Sequence, residues 1–124
     1  MNLLLDANIV VWLLEQPERI SPHVTGILQD PANTLFVSTA SLLELTSKAS
    51  SGRLTFDEES VQKIVQIATW LPVQASHAWR VRSLPRIHGD PFDRILIAQA
   101  LEEKLTLVTG DRLLADYGVP VLLT

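Results

Sequence analysis

The chain has 124 residues, 47% of them hydrophobic and 19% charged, with 14 acidic against 10 basic side chains and a formal net charge of -4. That length fits one domain, residues 1–124, around one buried core; the lack of any cysteine excludes a disulfide scaffold and a thiolate metal site. The longest apolar run, Ile9 to Leu14, falls far short of the roughly 18 residues of a membrane span, and no basic n-region opens the sequence, so a cytoplasmic protein without a membrane partner is expected.

In chain order the pattern alternates strand and helix. Asn2 to Leu5 reads as a short strand and Ala7 to Glu15 as a helix. Ser21 then Pro22 gives an N-cap with proline at the first helical position, leading a helix to Leu28. Thr34 to Val37 is a second strand, and Thr39 to Ser50 a helix closed by Gly52. Asp57-Glu58-Glu59 begins a further helix with acids at its positive dipole end, and Val61, Ile64, Val65 and Ala68 keep helical spacing for a buried face. Leu71 to Gln74 is a weaker strand and Ser76 to Leu84 another helix. A long helix from Pro91 to Lys104, a strand over Thr106 to Thr109, a short helix from Asp111 to Asp116 and a last strand from Val119 to Leu122 complete the chain. Strands separated by helices imply a parallel sheet covered on both faces.

Acids stand where strands end and helices begin: Asp6, Glu44, Asp90, Asp93 and Asp111. In an open α/β sheet the carboxyl ends of the strands face one crevice, so such acids can converge, and a cluster of carboxylates is what hard divalent cations take as ligands. Each acid also has a local explanation. Asp6 fits an N-cap. Glu44 fits a capping box with Ser41, although a cap at Thr39 would place it inside the helix. Asp90 before Pro91 reads mainly as cap chemistry, with Asp93 at the third helical position, where the helix dipole is expected to lower its pKa and keep it ionised. Asp111 fits a cap after a tight turn eased by Gly110.

Arg80, Arg82, Arg86 and His88 gather just before the Asp90 motif, beside Trp79, as either a phosphate-binding stretch or a solvated face. Trp12, Trp70 and Trp79 read most simply as core or interface aromatics. The histidines have no metal-ligand spacing, and neither glycine-rich phosphate loops nor a G-x-S-x-G nucleophile is present.

Four segments together carry a family resemblance: Leu4-Leu5-Asp6-Ala7-Asn8, Ser41-Leu42-Leu43-Glu44-Leu45, the run from His88-Gly89-Asp90-Pro91-Phe92-Asp93-Arg94 to Ala100, and Leu107-Val108-Thr109-Gly110-Asp111. On these the chain resembles PIN domains, specifically the VapC-type ribonuclease toxins of toxin-antitoxin pairs. The resemblance implies an α/β/α sandwich with a central parallel sheet of four to five strands. It implies Mg²⁺ or Mn²⁺ held by Asp6, Glu44, Asp93 and Asp111, with Asp90 an additional acid. It also implies RNA as substrate, a small antitoxin as partner, and a homodimer. The basic stretch at Arg80, Arg82, Arg86 and His88 would then meet RNA, single-stranded or looped because a crevice at strand ends admits a splayed strand. The alternative from another class is a non-catalytic module of the same fold that binds RNA or protein and keeps its acids as caps.

Overall fold

The computed structural model describes residues 1–124. Five strands, β1 (Asn2–Leu5), β2 (Thr34–Ser38), β3 (Thr69–Leu71), β4 (Thr106–Thr109) and β5 (Val121–Leu123), form one parallel sheet in the order β3-β2-β1-β4-β5. The helices are α1 (Ala7–Glu15), α2 (Pro22–Gln29), α3 (Thr39–Ser50), α4 (Glu58–Ile67), α5 (Ala75–Arg80) and α6 (Pro91–Glu103), with 3-10 turns at Pro17–Arg19, Val81–Ser83 and Arg112–Tyr117.

Alternation along the strands splits the core into two layers. Leu3 and Leu5 point to one face of β1 and pack with Ile9, Val10, Val24, Leu45 and Ile64 from α1 to α4. Leu4, between them, points to the other and packs with Leu96 and Ile97 of α6, Leu107 and Leu114. All three leucines are fully buried, as expected of a central parallel strand with helices on both sides. The chain winds outward from β1 through β2 to β3, then returns to β4 on the opposite flank of β1. The direction of strand order therefore reverses between β1 and β4, and at such a switch point a crevice opens beyond the carboxyl ends of the strands.

The α3 boundaries agree with the sequence pattern, and Ser21 and Pro22 open α2 as expected. Three of the limits that differ do so beside a proline. Strand β3 occupies Thr69–Leu71 rather than Leu71 to Gln74, because Pro72 has no N–H for the ladder and the amide of Val73 turns to the Thr39 hydroxyl at 3.1 Å. Pro120 likewise delays β5 to Val121. Helix α5 tightens into a 3-10 turn after Arg80 and stops before Leu84, whose extended backbone suits the following Pro85. The expected helix after Asp111 is a 3-10 turn, ended by Gly118 at φ 80°. Gly110 serves close packing rather than a left-handed turn: a Cβ there would lie 3.0 Å from the Trp12 ring.

Candidate active site

Asp6 ends β1 and caps α1. Its Oδ1 accepts the Ile9 N–H at 2.9 Å, and its Oδ2 accepts the hydroxyl of Thr109 at the end of β4. The residue is 6% exposed. Burial pushes its carboxyl above the ordinary range, opposed by the Thr109 hydrogen bond, while the charge of Glu44 pushes it up further. Thr109 is itself fully buried, and its Oγ1 accepts the Asp111 N–H at 3.0 Å. A single hydroxyl thus ties the acid after β1 to the acid after β4.

Glu44 is not part of a capping box. Ser38 caps α3 through its Oγ to the Ala40 N–H at 3.0 Å, so Glu44 lies inside the helix, paired with Lys48 Nζ at 2.9 Å. The Ser41 hydroxyl is buried and lacks a partner. Asp90 is a cap: its Oδ1 accepts from the Phe92 N–H at 2.8 Å and the Asp93 N–H at 3.4 Å, with Pro91 at the first helical position. Asp111 caps the 3-10 turn through Oδ1 to the Leu113 N–H at 3.0 Å and leaves Oδ2 toward the crevice side of His88.

Asp93 corrects an expectation. The helix dipole was expected to keep its pKa low, yet its carboxyl is raised from 3.8 to about 6. Burial is the main cause and the neighbouring charge of Asp90 the next; His88 opposes them, and Asp6 and Glu44 add smaller upward pushes. Like charge and desolvation outweigh a dipole that acts only within the first turn. The same causes place Asp6, Glu44 and Asp90 within electrostatic reach of Asp93.

His88 is neither a free loop histidine nor turned outward to solvent. Its Nε2 lies 3.3 Å from Asp93 Oδ2 and 3.2 Å from Asp111 Oδ2, and the three ligand-type atoms fall within 4.8 Å of one another. The arginines divide. Arg80 is engaged by Glu102 at 2.7 Å. Arg82 stacks 4.3 Å above the ring of Trp79, which is 68% exposed rather than core. Arg82, Arg86 and His88 line one open cavity of about 510 Å³. Arg94 faces the same cavity but is occupied with backbone: its guanidinium donates to the carbonyls of Pro85 at 2.9 Å and Val81 at 3.1 Å, with longer contacts to His88 and Leu84.

The donor set fits a hard divalent cation, since the acids are carboxylates in a part-buried crevice whose mutual repulsion a cation relieves. Two roles escaped the sequence reading. Thr109 carried a readable signal, because a hydroxyl two residues before an amide is a standard local partner for it. The Arg94 carbonyl clamp carried none, because its acceptors are backbone atoms placed by the fold.

The sequence model of the PIN domain matches residues 3–120 of the chain. A protein of Mycobacterium tuberculosis named Ribonuclease VapC22 is 29% identical over 130 residues, covering 96% of this chain and 94% of that one. Among solved structures, VapBC2 from Rickettsia felis bound to a DNA fragment from their promoter superposes with a TM-score of 0.77 at 17% identity, over 99% of this chain and 98% of that one. DNA-bound VapBC from Salmonella typhimurium gives 0.73 at 15%, over 98% and 97%. FitAcB from Neisseria gonorrhoeae gives 0.68 at 22%, over 97% and 96%. These structures share the fold at identities too low to carry more. With the family match spanning nearly the whole chain and the sheet reversing its order at the acids, the chain belongs to the PIN-domain family.

Proposed function

We propose that the protein is an endoribonuclease that hydrolyses RNA phosphodiester bonds with Mg²⁺ or Mn²⁺, and that it is the toxin of a toxin-antitoxin pair. The observation that carries this reading is the gathering of carboxylates at the β1/β4 crevice, where burial above all, helped by neighbouring carboxylate charge, raises both Asp6 and Asp93. The ribonuclease name of the Mycobacterium relative supports the substrate class, and the VapBC descriptions of the structural neighbours support the partner.

Asp6, Glu44, Asp93 and Asp111 would hold the cation. Asp90, with its Oδ1 used by the α6 cap, adds charge rather than a dedicated ligand. Once bound, the ion supplies Lewis acidity to the charge that develops on the scissile phosphate. The chain's own residues position the substrate. Arg82 and Arg86 meet phosphates, the exposed Trp79 ring offers a face on which a base stacks, and the Ile9 amide and Thr109 hydroxyl hold Asp6 in one orientation. On this reading hydrolysis is direct attack of water on phosphorus, without a covalent enzyme intermediate.

An apolar groove of about 400 Å³, lined by Thr39, Leu43, Val73, Phe92 and Ile95, lies where the first turns of α3 and α6 meet, close to Glu44 and Asp93 in sequence. Leu43 there is 61% exposed. This surface suits a small antitoxin that seats apolar side chains and directs an Arg at the carboxylates, displacing ion and RNA. The reading sets the protein in the cytoplasm, as a homodimer. No helix is long and apolar enough to cross a membrane.

The test is cleavage of a generic single-stranded RNA with Mg²⁺, with Mn²⁺ and with excess EDTA. Cleavage that needs the ion is expected; cleavage undiminished by chelator sinks the cation mechanism. RNA binding with no ion-dependent cleavage would favour the non-catalytic module.

A further inference from the structure

His88 is held firmly at its backbone, while its ring has a single hydrogen bond, at Nδ1. Its N–H donates to the Tyr117 hydroxyl oxygen at 2.6 Å, and its carbonyl accepts from that hydroxyl at 3.3 Å and from Arg94 at 3.4 Å. Any movement of the residue is therefore a rotation of the ring, with the loop held in place. The ring nitrogens are distinguishable by their partners. The Asp90 N–H donates to Nδ1 at 3.1 Å, so Nδ1 is the acceptor and the ring proton sits on Nε2. Nε2 is the nitrogen between Asp93 Oδ2 and Asp111 Oδ2.

This arrangement is the reverse of a ligating histidine. A metal-bound imidazole presents a bare nitrogen to the ion and donates from the other nitrogen to a carbonyl or carboxylate. Here the nitrogen facing the carboxylates carries the hydrogen, and the other one faces an N–H. With Nε2 3.3 Å from Asp93 Oδ2 and 3.2 Å from Asp111 Oδ2, the imidazole edge occupies the space that a cation held by those two oxygens would take.

Building on the cation site proposed above, we infer that His88 and the divalent cation compete for Asp93 and Asp111, the Nε2 edge of the imidazole standing against both carboxylates until the ion displaces it. His88 is thus a positioning residue that sets cation affinity. It holds two like charges together in the folded protein and must release them for the ion to bind.

Calorimetric titration of the full chain with Mg²⁺ and with Mn²⁺, wild type against His88→Ala at one pH, tests this. Removing the competitor is expected to tighten binding about tenfold, a change of about 1.4 kcal/mol, and to lower the melting temperature in EDTA. Long-range ¹H–¹⁵N spectra of the wild-type imidazoles supply a second readout, which stands even if the variant folds poorly. The His88 ring, assigned by through-bond correlation to its own backbone in the wild type, is expected to show the Nε2–H tautomer in EDTA and to lose that signature at saturating Mg²⁺. Weaker ion binding by His88→Ala would make the residue a ligand, and unchanged binding would make it a bystander; either overturns the competition and leaves the cation site standing. Absence of ion binding by the wild type overturns the cation site itself, and the competition with it.

Discussion

The two ends of the sheet solve the same problem in opposite ways. At the amino ends of the strands, polar groups are settled locally: the Thr34 N–H donates to the Met1 carbonyl at 2.9 Å, Asp30 Oδ1 accepts the Ala32 N–H at 2.9 Å, and the Asn33 amide donates to the Ile27 carbonyl at 2.9 Å. At the carboxyl ends, acids from different segments face one another, and two of them are pushed up toward their neutral forms. One end is built as turns are built. The other holds like charge that costs stability and is useful only if something positive arrives, as active sites commonly trade stability for function.

The largest expected effect separates the two ends directly. Asp6→Asn or Asp93→Asn is expected to lower RNA cleavage by at least about a hundredfold, by removing a ligand charge for the ion. In EDTA near neutral pH, Asp93→Asn is also expected to melt higher, by about 1 kcal/mol after allowance for solvent screening. Asp30→Asn at the opposite end keeps the turn acceptor and is expected to change neither activity nor stability beyond about 0.5 kcal/mol. Activity assays and melting curves on the three variants decide it; a less stable Asp93→Asn would show that the acids are not in conflict.

Next in size is the basic stretch. Arg82→Ala with Arg86→Ala is expected to weaken RNA binding and to flatten the dependence of log affinity on log salt by about 1 to 2. Mg²⁺ binding should be spared. An unchanged salt slope, measured by fluorescence anisotropy in EDTA, would make the stretch a solvated face.

The hydroxyl link gives a smaller and sharper contrast. Thr109→Val keeps volume but leaves Asp6 Oδ2 and the Asp111 amide unpaired, which is expected to cost about 1 to 3 kcal/mol and weaken Mg²⁺ binding, whereas Thr109→Ser restores both. Equal behaviour of the two variants in calorimetry would remove Thr109 from the site. Smaller again, Asp90→Ala is expected to lose about 1 kcal/mol as a cap while Asp90→Asn, which still caps, is near neutral in melting and loses less activity than Asp93→Asn.

The pH profile in EDTA carries the same comparison with its own sign. Folding raises Asp93 from 3.8 to about 6, so in that window the native state binds more protons than the unfolded one. Its contribution to stability is therefore present below about 4 and lost as pH rises to about 6. Asp6, raised too, acts in the same direction. Asp93→Asn should flatten this fall, and a wild-type stability that rises with pH across the window would contradict the upward shift of these carboxyls.

Much of the fold was legible because Leu3, Leu4 and Leu5 require burial on both faces and because Ser21-Pro22 and Asp90-Pro91 mark helix starts chemically. Strand limits at Pro72 and Pro120 were not, since a missing amide matters only once the neighbouring strand is known. The acids were legible as positions and misread as alternatives. Cap and cluster are not exclusive: Asp6 caps with Oδ1 while Oδ2 meets Thr109, and Asp111 caps with Oδ1 while Oδ2 meets His88. The Asp93 shift was hidden because it depends on burial and on Asp90, Asp6 and Glu44 arriving together.

The bond between Asp6 and Thr109 spans 103 residues. It also fixes an order of events during synthesis. Chains emerge amino end first and β4 begins only at Thr106, so a ribosome-bound fragment carrying Asp6, Glu44 and Asp93 still lacks the strand that orients the first acid and supplies Asp111. On the proposed reading, the cutting edge is assembled only once β4 has emerged, and the machinery translating this protein is not exposed to it before then.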